Sequence, residues 1–286
     1  MGKRGETTMR LGIHLPHIGR KAAPQAIRRA AEQAEALGFD DVWVSEHIIV
    51  PRAAPYPPSA LFYEPVLTLT WAAAYTTRVR LGTTVLVLPM RHPVPLAKEL
   101  ATLQNLSGGR LILGAGVGWM EAEFAALGAP FHERGKRMDE GLAMMRALWT
   151  DDPVSFPARS IPAEINDMRM LPLPCAPIPV WIGGGSDAAI RRAARHDGWH
   201  GSRVTPDQAG AIVARLRALR PDPQDFTLSL RTGWNGEDDG ELRARLHAYA
   251  AAGIQHVMLE PSARELDDWL AQVERMARAG EAVAAA

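Results

Sequence analysis

The feature that most constrains this chain is a steady alternation of short apolar β-like runs with amphipathic helical runs, kept up along nearly its whole length. Parallel strands need a long crossover between them, usually a helix, so the rhythm implies βα units. Arg10 to Leu15 reads as the first strand, and further strands are predicted at 41–45, 79–88, 110–115, 180–182, 198–202, 226–231 and 254–259. Helices are predicted at 24–37, 64–76, 95–106, 133–149, 187–195, 206–219, 240–252 and 264–279. The first carries Ile27, Ala30, Ala31 and Ala34 on one face, with Pro24 at its start and Gly38 after its end. Eight strand–helix units close a barrel, and such a barrel uses about 250 residues, close to the 286 present. The predicted fold class is therefore α/β, a (β/α)8 TIM barrel. An open doubly wound sheet is built from the same units, but its dinucleotide fingerprint is missing. Asp151 to Pro179 breaks the rhythm as an irregular Pro-rich excursion between the fourth and fifth strands, with a cover over the site as its expected role. The expected organisation is one domain over 9–280, a disordered polar extension over 1–8 and an Ala-rich tail over 281–286.

Charge and cysteine content remove several function classes. Lys+Arg and Asp+Glu both total 32, which leaves no basic excess for nucleic acid or an anionic membrane. No apolar run reaches the roughly 18 residues a membrane span needs, and the N-terminal residues lack a signal-peptide apolar stretch. Cys175 is the only cysteine, so neither an intrachain disulfide nor a multi-cysteine metal site can form. A cytoplasmic protein is expected. No His-Glu-x-x-His spacing or Gly-x-Ser-x-Gly elbow occurs, and no metal site is predicted.

In a barrel of this kind the chemistry sits on loops after the strands. His47 follows the second strand, where it could serve as an acid–base group or simply bond a neighbouring loop. Gly114-Ala-Gly-Val-Gly118 follows the fourth strand. It reads either as a tight turn or as backbone kept bare so that a flat ring can approach Gly114, Ala115 and Gly116. Gly183, Gly184, Gly185 and Ser186 follow the fifth strand and open a helix. That pattern favours a phosphate held on backbone N–H groups, the alternative being a turn with a Ser or Asp cap. Arg91 and His92 are read as shaping the entry to the next helix. Tyr63 and Trp119 are candidates for an apolar substrate pocket.

Several segments, taken in order, resemble the luciferase-like monooxygenase family. They are Leu37-Gly-Phe-Asp-Asp-Val-Trp43 with Glu46-His47, Leu81-Gly-Thr-Thr-Val-Leu-Val-Leu-Pro-Met-Arg-His-Pro93, Leu106-Ser-Gly-Gly-Arg-Leu111, Gly114 to Trp119, and Pro179-Val-Trp-Ile-Gly-Gly-Gly-Ser186. The resemblance implies a barrel that binds coenzyme F420 or FMN at the strand ends, and it leans toward the F420 branch. It implies a non-prolyl cis peptide at Thr84-Val85 behind the ring, a phosphate near Gly183 to Ser186, and proton transfer by His47, with Glu46 as its orienting group or as buried support. Many such proteins are homodimers. The expected activity is hydride transfer between F420 and a small organic substrate. The alternatives are an FMN-dependent monooxygenase using oxygen and a non-catalytic cofactor-binding barrel.

Overall fold

The computed structural model describes residues 9–220, 225–234 and 236–284. Its strands are β1 (Arg10–His14), β2 (Asp41–Val44), β3 (Arg80–Thr83), β4 (Leu86–Val87), β5 (Leu111–Gly116), β6 (Val154–Phe156), β7 (Ile165–Met168), β8 (Val180–Gly183), β9 (Gly198–Ser202), β10 (Thr227–Gly233) and β11 (His256–Glu260). Its helices are α1 (Pro24–Ala36), α2 (Pro65–Ala73), α3 (Pro93–Leu106), α4 (Glu121–Ala126), α5 (Arg134–Thr150), α6 (Asp187–Ala193), α7 (Pro206–Leu219), α8 (Asp239–Ala251) and α9 (Leu266–Ala284).

All strands except β6 and β7 pair in parallel. The order runs β3-β2-β1-β11-β10-β9-β8-β5-β4, and β3 also pairs with β5, so the sheet closes. Since β3 and β4 are two halves of one interrupted strand, the barrel has eight positions, as the alternation predicts. The break falls at the cis peptide Thr84-Val85. The predicted strand over 79–88 is corrected there: two short strands are followed by a 3-10 turn over Leu88–Met90. Residues 79–88 mix apolar positions with Arg80, Thr83 and Thr84, a composition ordinary for a strand, so it does not mark the interruption.

The main core lies between strands and helices, where Ala30, Ala31, Leu69, Leu100, Leu142 and Val273 meet the outer faces of the strands. A second cluster of Trp43, Ile112, Trp181 and Met258 fills the barrel interior. This is the packed lumen expected of such barrels rather than a pore. Among the described residues no helix is long and apolar enough to cross a membrane.

The Pro-rich excursion contains an antiparallel hairpin, β6 with β7. It is fastened along the outside of α3 and α5. Lys98 donates to the Leu171 carbonyl, Asn105 Nδ2 to the Leu173 carbonyl at 2.9 Å, and the Glu140 carboxylate receives the Ser160 N–H at 2.7 Å. Prolines that cannot donate leave many carbonyls here, and side chains from the two helices satisfy them. The extension predicted for 1–8 lies outside the described residues. The predicted tail is helical in its first four residues, because α9 continues to Ala284; its last two residues lie outside.

Candidate functional site at the strand C-terminal rim

Three glycines line one half of the rim, and they are there because no side chain fits. A Cβ on Gly114 would stand 1.8 Å from the Thr83 carbonyl oxygen; on Gly116, 2.4 Å from Val85 Cγ2; on Gly183, 2.8 Å from Val85 Cγ1. Val85 therefore rests between β5 and β8, immediately after the cis bond. Period-two alternation turns Ala115 the other way, into the core beneath the helices, so its side chain does not reach the rim. Beyond Gly183 the chain is exposed at Gly184, Gly185 and Ser186, and among the described residues no intramolecular hydrogen bond engages the N–H groups of Gly184 and Gly185. Ser186 caps α6, accepting from Ala189 N at 3.2 Å.

The neighbouring part of the rim, after β2 and β5, is polar. His47 Nδ1 meets Glu123 Oε2 at 3.0 Å, and the same carboxylate receives the N–H groups of Ile48 and Ile49. Glu123 is only 2% exposed. Burial raises its pKa, but the bonds from His47, Ile48 and Ile49 outweigh that and leave it lowered, so it is a carboxylate at neutral pH. An anionic acceptor on Nδ1 fixes that nitrogen as the protonated one and orients the ring. Nε2 makes no hydrogen bond to described residues. Phe62 and Trp119 meet the His47 ring edge-on at 5.2 and 5.9 Å. Trp119 is 57% exposed and also touches Tyr56. Tyr63 does not share this cluster: in the extended segment after Leu61 its neighbour Phe62 points at His47 instead.

Glu46, considered from sequence as the group orienting His47, faces elsewhere. It accepts from Val87 N at 2.6 Å and from Arg91 Nε at 2.7 Å, and Arg91 continues to Glu64 Oε1 at 2.6 Å. Burial raises the Glu46 pKa against the pull of Arg91. This carboxylate ties β4 to the start of α3 and the cap of α2. Arg91 and His92 have the structural roles expected of them, His92 accepting from Val94 N at the start of α3.

Four polar residues of the rim and lumen carry no motif in the sequence. His14 Nε2 lies 3.1 Å from Ser45 Oγ. His17 bonds the backbone of Leu15 and Ser45, and burial depresses its pKa to about 4. Arg231 pairs with Glu260 at 2.6 Å and donates to the Thr84 carbonyl at 3.3 Å. Glu123 itself went unseen because α4 is one and a half turns long, too short to show a period.

A closed (β/α)8 barrel with a bare-backbone half-rim beside a histidine–carboxylate pair defines the class. The chain belongs to the luciferase-like monooxygenase family, whose family model matches residues 9–285. It is similar to an uncharacterized protein of Mycobacterium tuberculosis, 35% identical over 204 residues, covering 67% of this chain and 70% of that one. It also resembles an F420-dependent glucose-6-phosphate dehydrogenase of Amycolatopsis mediterranei, 35% identical over 188 residues, with 62% of this chain and 54% of that one covered. Among solved structures, an F420-dependent secondary alcohol dehydrogenase in complex with an F420-acetone adduct superposes with a TM-score of 0.80 at 18% identity, covering 95% and 99% of the two chains. A type II Baeyer-Villiger monooxygenase component of Pseudomonas putida in complex with FMN gives 0.70 at 17% identity, covering 95% and 97%. At these identities the structural likeness establishes the fold. The protein is a luciferase-like oxidoreductase, and the proteins it is similar to include F420-dependent and FMN-binding ones.

Proposed function

We propose that the protein transfers a hydride between F420 and a small organic substrate at the rim. The observation that carries the reading is the held imidazole of His47 beside the bare half-rim. The residues fit a flat tricyclic ring: Val85, Gly114, Gly116 and Gly183 form a surface that side chains would obstruct, and the exposed Gly184–Gly185 backbone offers N–H groups to a phosphate. When bound, F420 supplies the hydride chemistry. The chain's own part is to orient and to move a proton. Val85 backs one face of the ring. Phe62 and Trp119 exclude water from His47 and favour an apolar substrate. With Glu123 holding Nδ1, His47 Nε2 is the atom that gives or takes the proton paired with the hydride. The 35% identity to an F420-dependent dehydrogenase supports F420 over FMN.

Side-by-side absorbance titration with F420 and FMN tests the reading. Saturable F420 binding, followed by F420 turnover across a panel of small alcohols and aldehydes, is expected. FMN binding with oxygen-dependent turnover would replace it with the monooxygenase alternative, and binding without turnover would leave a carrier barrel. A homodimer is proposed as well, seated on α2, where Leu67 is 71% exposed one turn from the exposed Trp71. Sedimentation of Leu67→Lys protein as a monomer, against a dimer for the parent, is the expected result.

A further inference from the structure

A chain of five buried polar side chains runs through the barrel interior and ends at the cis-peptide residue Thr84. Asp41 Oδ1 lies 2.7 Å from His256 Nε2; His256 Nδ1 lies 2.7 Å from Ser229 Oγ; Ser229 Oγ lies 2.7 Å from His200 Nδ1; and His200 Nε2 lies 2.9 Å from Thr84 Oγ1. None of the five is more than 6% exposed. The proposed function uses none of the first four.

Each link constrains the next. Arg80 at 2.9 Å and the indole N–H of Trp43 both donate to Asp41. Burial raises the Asp41 pKa, but His256 first and then Arg80 overcome it, and the group is an anion. An anion only accepts, so His256 carries a proton on Nε2, and in the singly protonated ring its Nδ1 accepts. Ser229 then donates to His256 and can only accept from His200, which places the His200 proton on Nδ1. His200 Nε2 is left as an acceptor, and Thr84 spends its single hydroxyl hydrogen on it. Burial first, with Arg231 adding to it, pushes the His200 pKa down to about 3, consistent with a neutral ring. Trp43 stacks on His200 at 5.0 Å and 3° and holds the ring plane.

We propose that this chain is a positioning network that makes Thr84 Oγ1 an obligate hydrogen-bond acceptor at the rim, matched to an N–H donor on the bound ring. The fused pyrimidine of flavins and deazaflavins carries such an N–H. The cofactor site is then read partly from Asp41, four side chains away. The proposal rests on the reading of the rim as a flavin or deazaflavin site.

Two measurements test it. In ligand-free protein labelled with 15N-histidine, His256 is expected to show the Nε2–H tautomer and His200 the Nδ1–H tautomer at neutral pH. His256 doubly protonated, or His200 protonated on Nε2, would make Thr84 a donor and overturn the proposal. In the second, F420 and FMN are titrated into Thr84→Val and Thr84→Ser. Loss of one neutral hydrogen bond should weaken binding about tenfold in Thr84→Val, while Thr84→Ser keeps the parent affinity. Ser229→Ala, which frees His200 to change tautomer, should weaken binding by a smaller factor, with a detectable change in the His200 15N shifts. Unchanged affinity in Thr84→Val would sink the ligand half of the proposal. If neither cofactor binds the parent protein, the proposed function fails and the ligand half with it, while the tautomers still decide the polarity of the network.

Discussion

At the scale of single residues, two carboxylates 77 positions apart have exchanged the roles that adjacency suggests. Glu46 is next to His47 in sequence, yet it serves Arg91 and Val87; Glu123, from α4, holds the imidazole. Consecutive residues leaving a strand point in different directions, so a neighbour in sequence is often not a neighbour in space. Glu123→Gln should therefore lower turnover about tenfold or more while leaving cofactor affinity near parental, because proton transfer alone contributes about 10²–10⁴ in such sites. Steady-state kinetics beside a binding titration would separate the two effects; an equal loss in affinity would assign Glu123 to cofactor binding instead. Gly116→Ala should do the reverse. Its Cβ would meet Val85 at 2.4 Å, so the ring-facing surface must shift and cofactor affinity should fall most, at a stability cost of about 1–3 kcal/mol. Retained affinity in that variant would show that Val85 does not back the ring.

Among elements, the long periodic helices and the buried strands were legible because their spacing repeats: α1, α3, α7 and α9 each begin within two residues of their predicted starts. What spacing could not reveal was aperiodic. The break between β3 and β4 sits inside a run whose composition is ordinary for a strand, and only family resemblance pointed to Thr84-Val85. The excursion over 151–179 looked like a lid because it lacks a period, but its carbonyls are spoken for by Lys98, Asn105 and Gln104 on α3. Its position was not written in its own composition; it depended on donors seventy residues earlier. The junction of β4, α2 and α3 makes an element-level prediction. Glu46→Ala removes the acceptor for Val87 N and one of the two close carboxylates from half-buried Arg91, and should cost about 3 kcal/mol. Urea unfolding would measure it; a change within about 0.5 kcal/mol would mean that Glu64 alone suffices.

For the whole molecule, acid is the condition to which the fold should be most sensitive. The folded protein keeps His17 and His200 neutral, with pKa values near 4 and 3, whereas an unfolded chain takes up protons on both below about 6.5. The unfolded state then binds more protons, so stability is full above about pH 6.5 and declines as pH falls toward 4. The slope is up to about 1.4 kcal/mol per pH unit for each histidine. Asp41, depressed by His256 and Arg80, adds to the loss at still lower pH, while Glu46, raised by burial, works in the opposite sense. Calorimetry should show a lower unfolding midpoint at pH 5 than at pH 7; equal midpoints would contradict the neutral assignment of the two rings.

Barrel closure also bears on how the chain is made. The first strand gains its second neighbour only from the last one, β11, and Asp41 meets His256 across 215 residues of sequence. During synthesis, β1 emerges well before β11 with one unpaired edge, and Asp41 emerges without its imidazole partner. Both debts stand until β11 has left the ribosome. Truncated or stalled nascent chains should thus carry an open strand edge and a carboxylate that resists burial, and should depend on chaperones far more than the finished protein does.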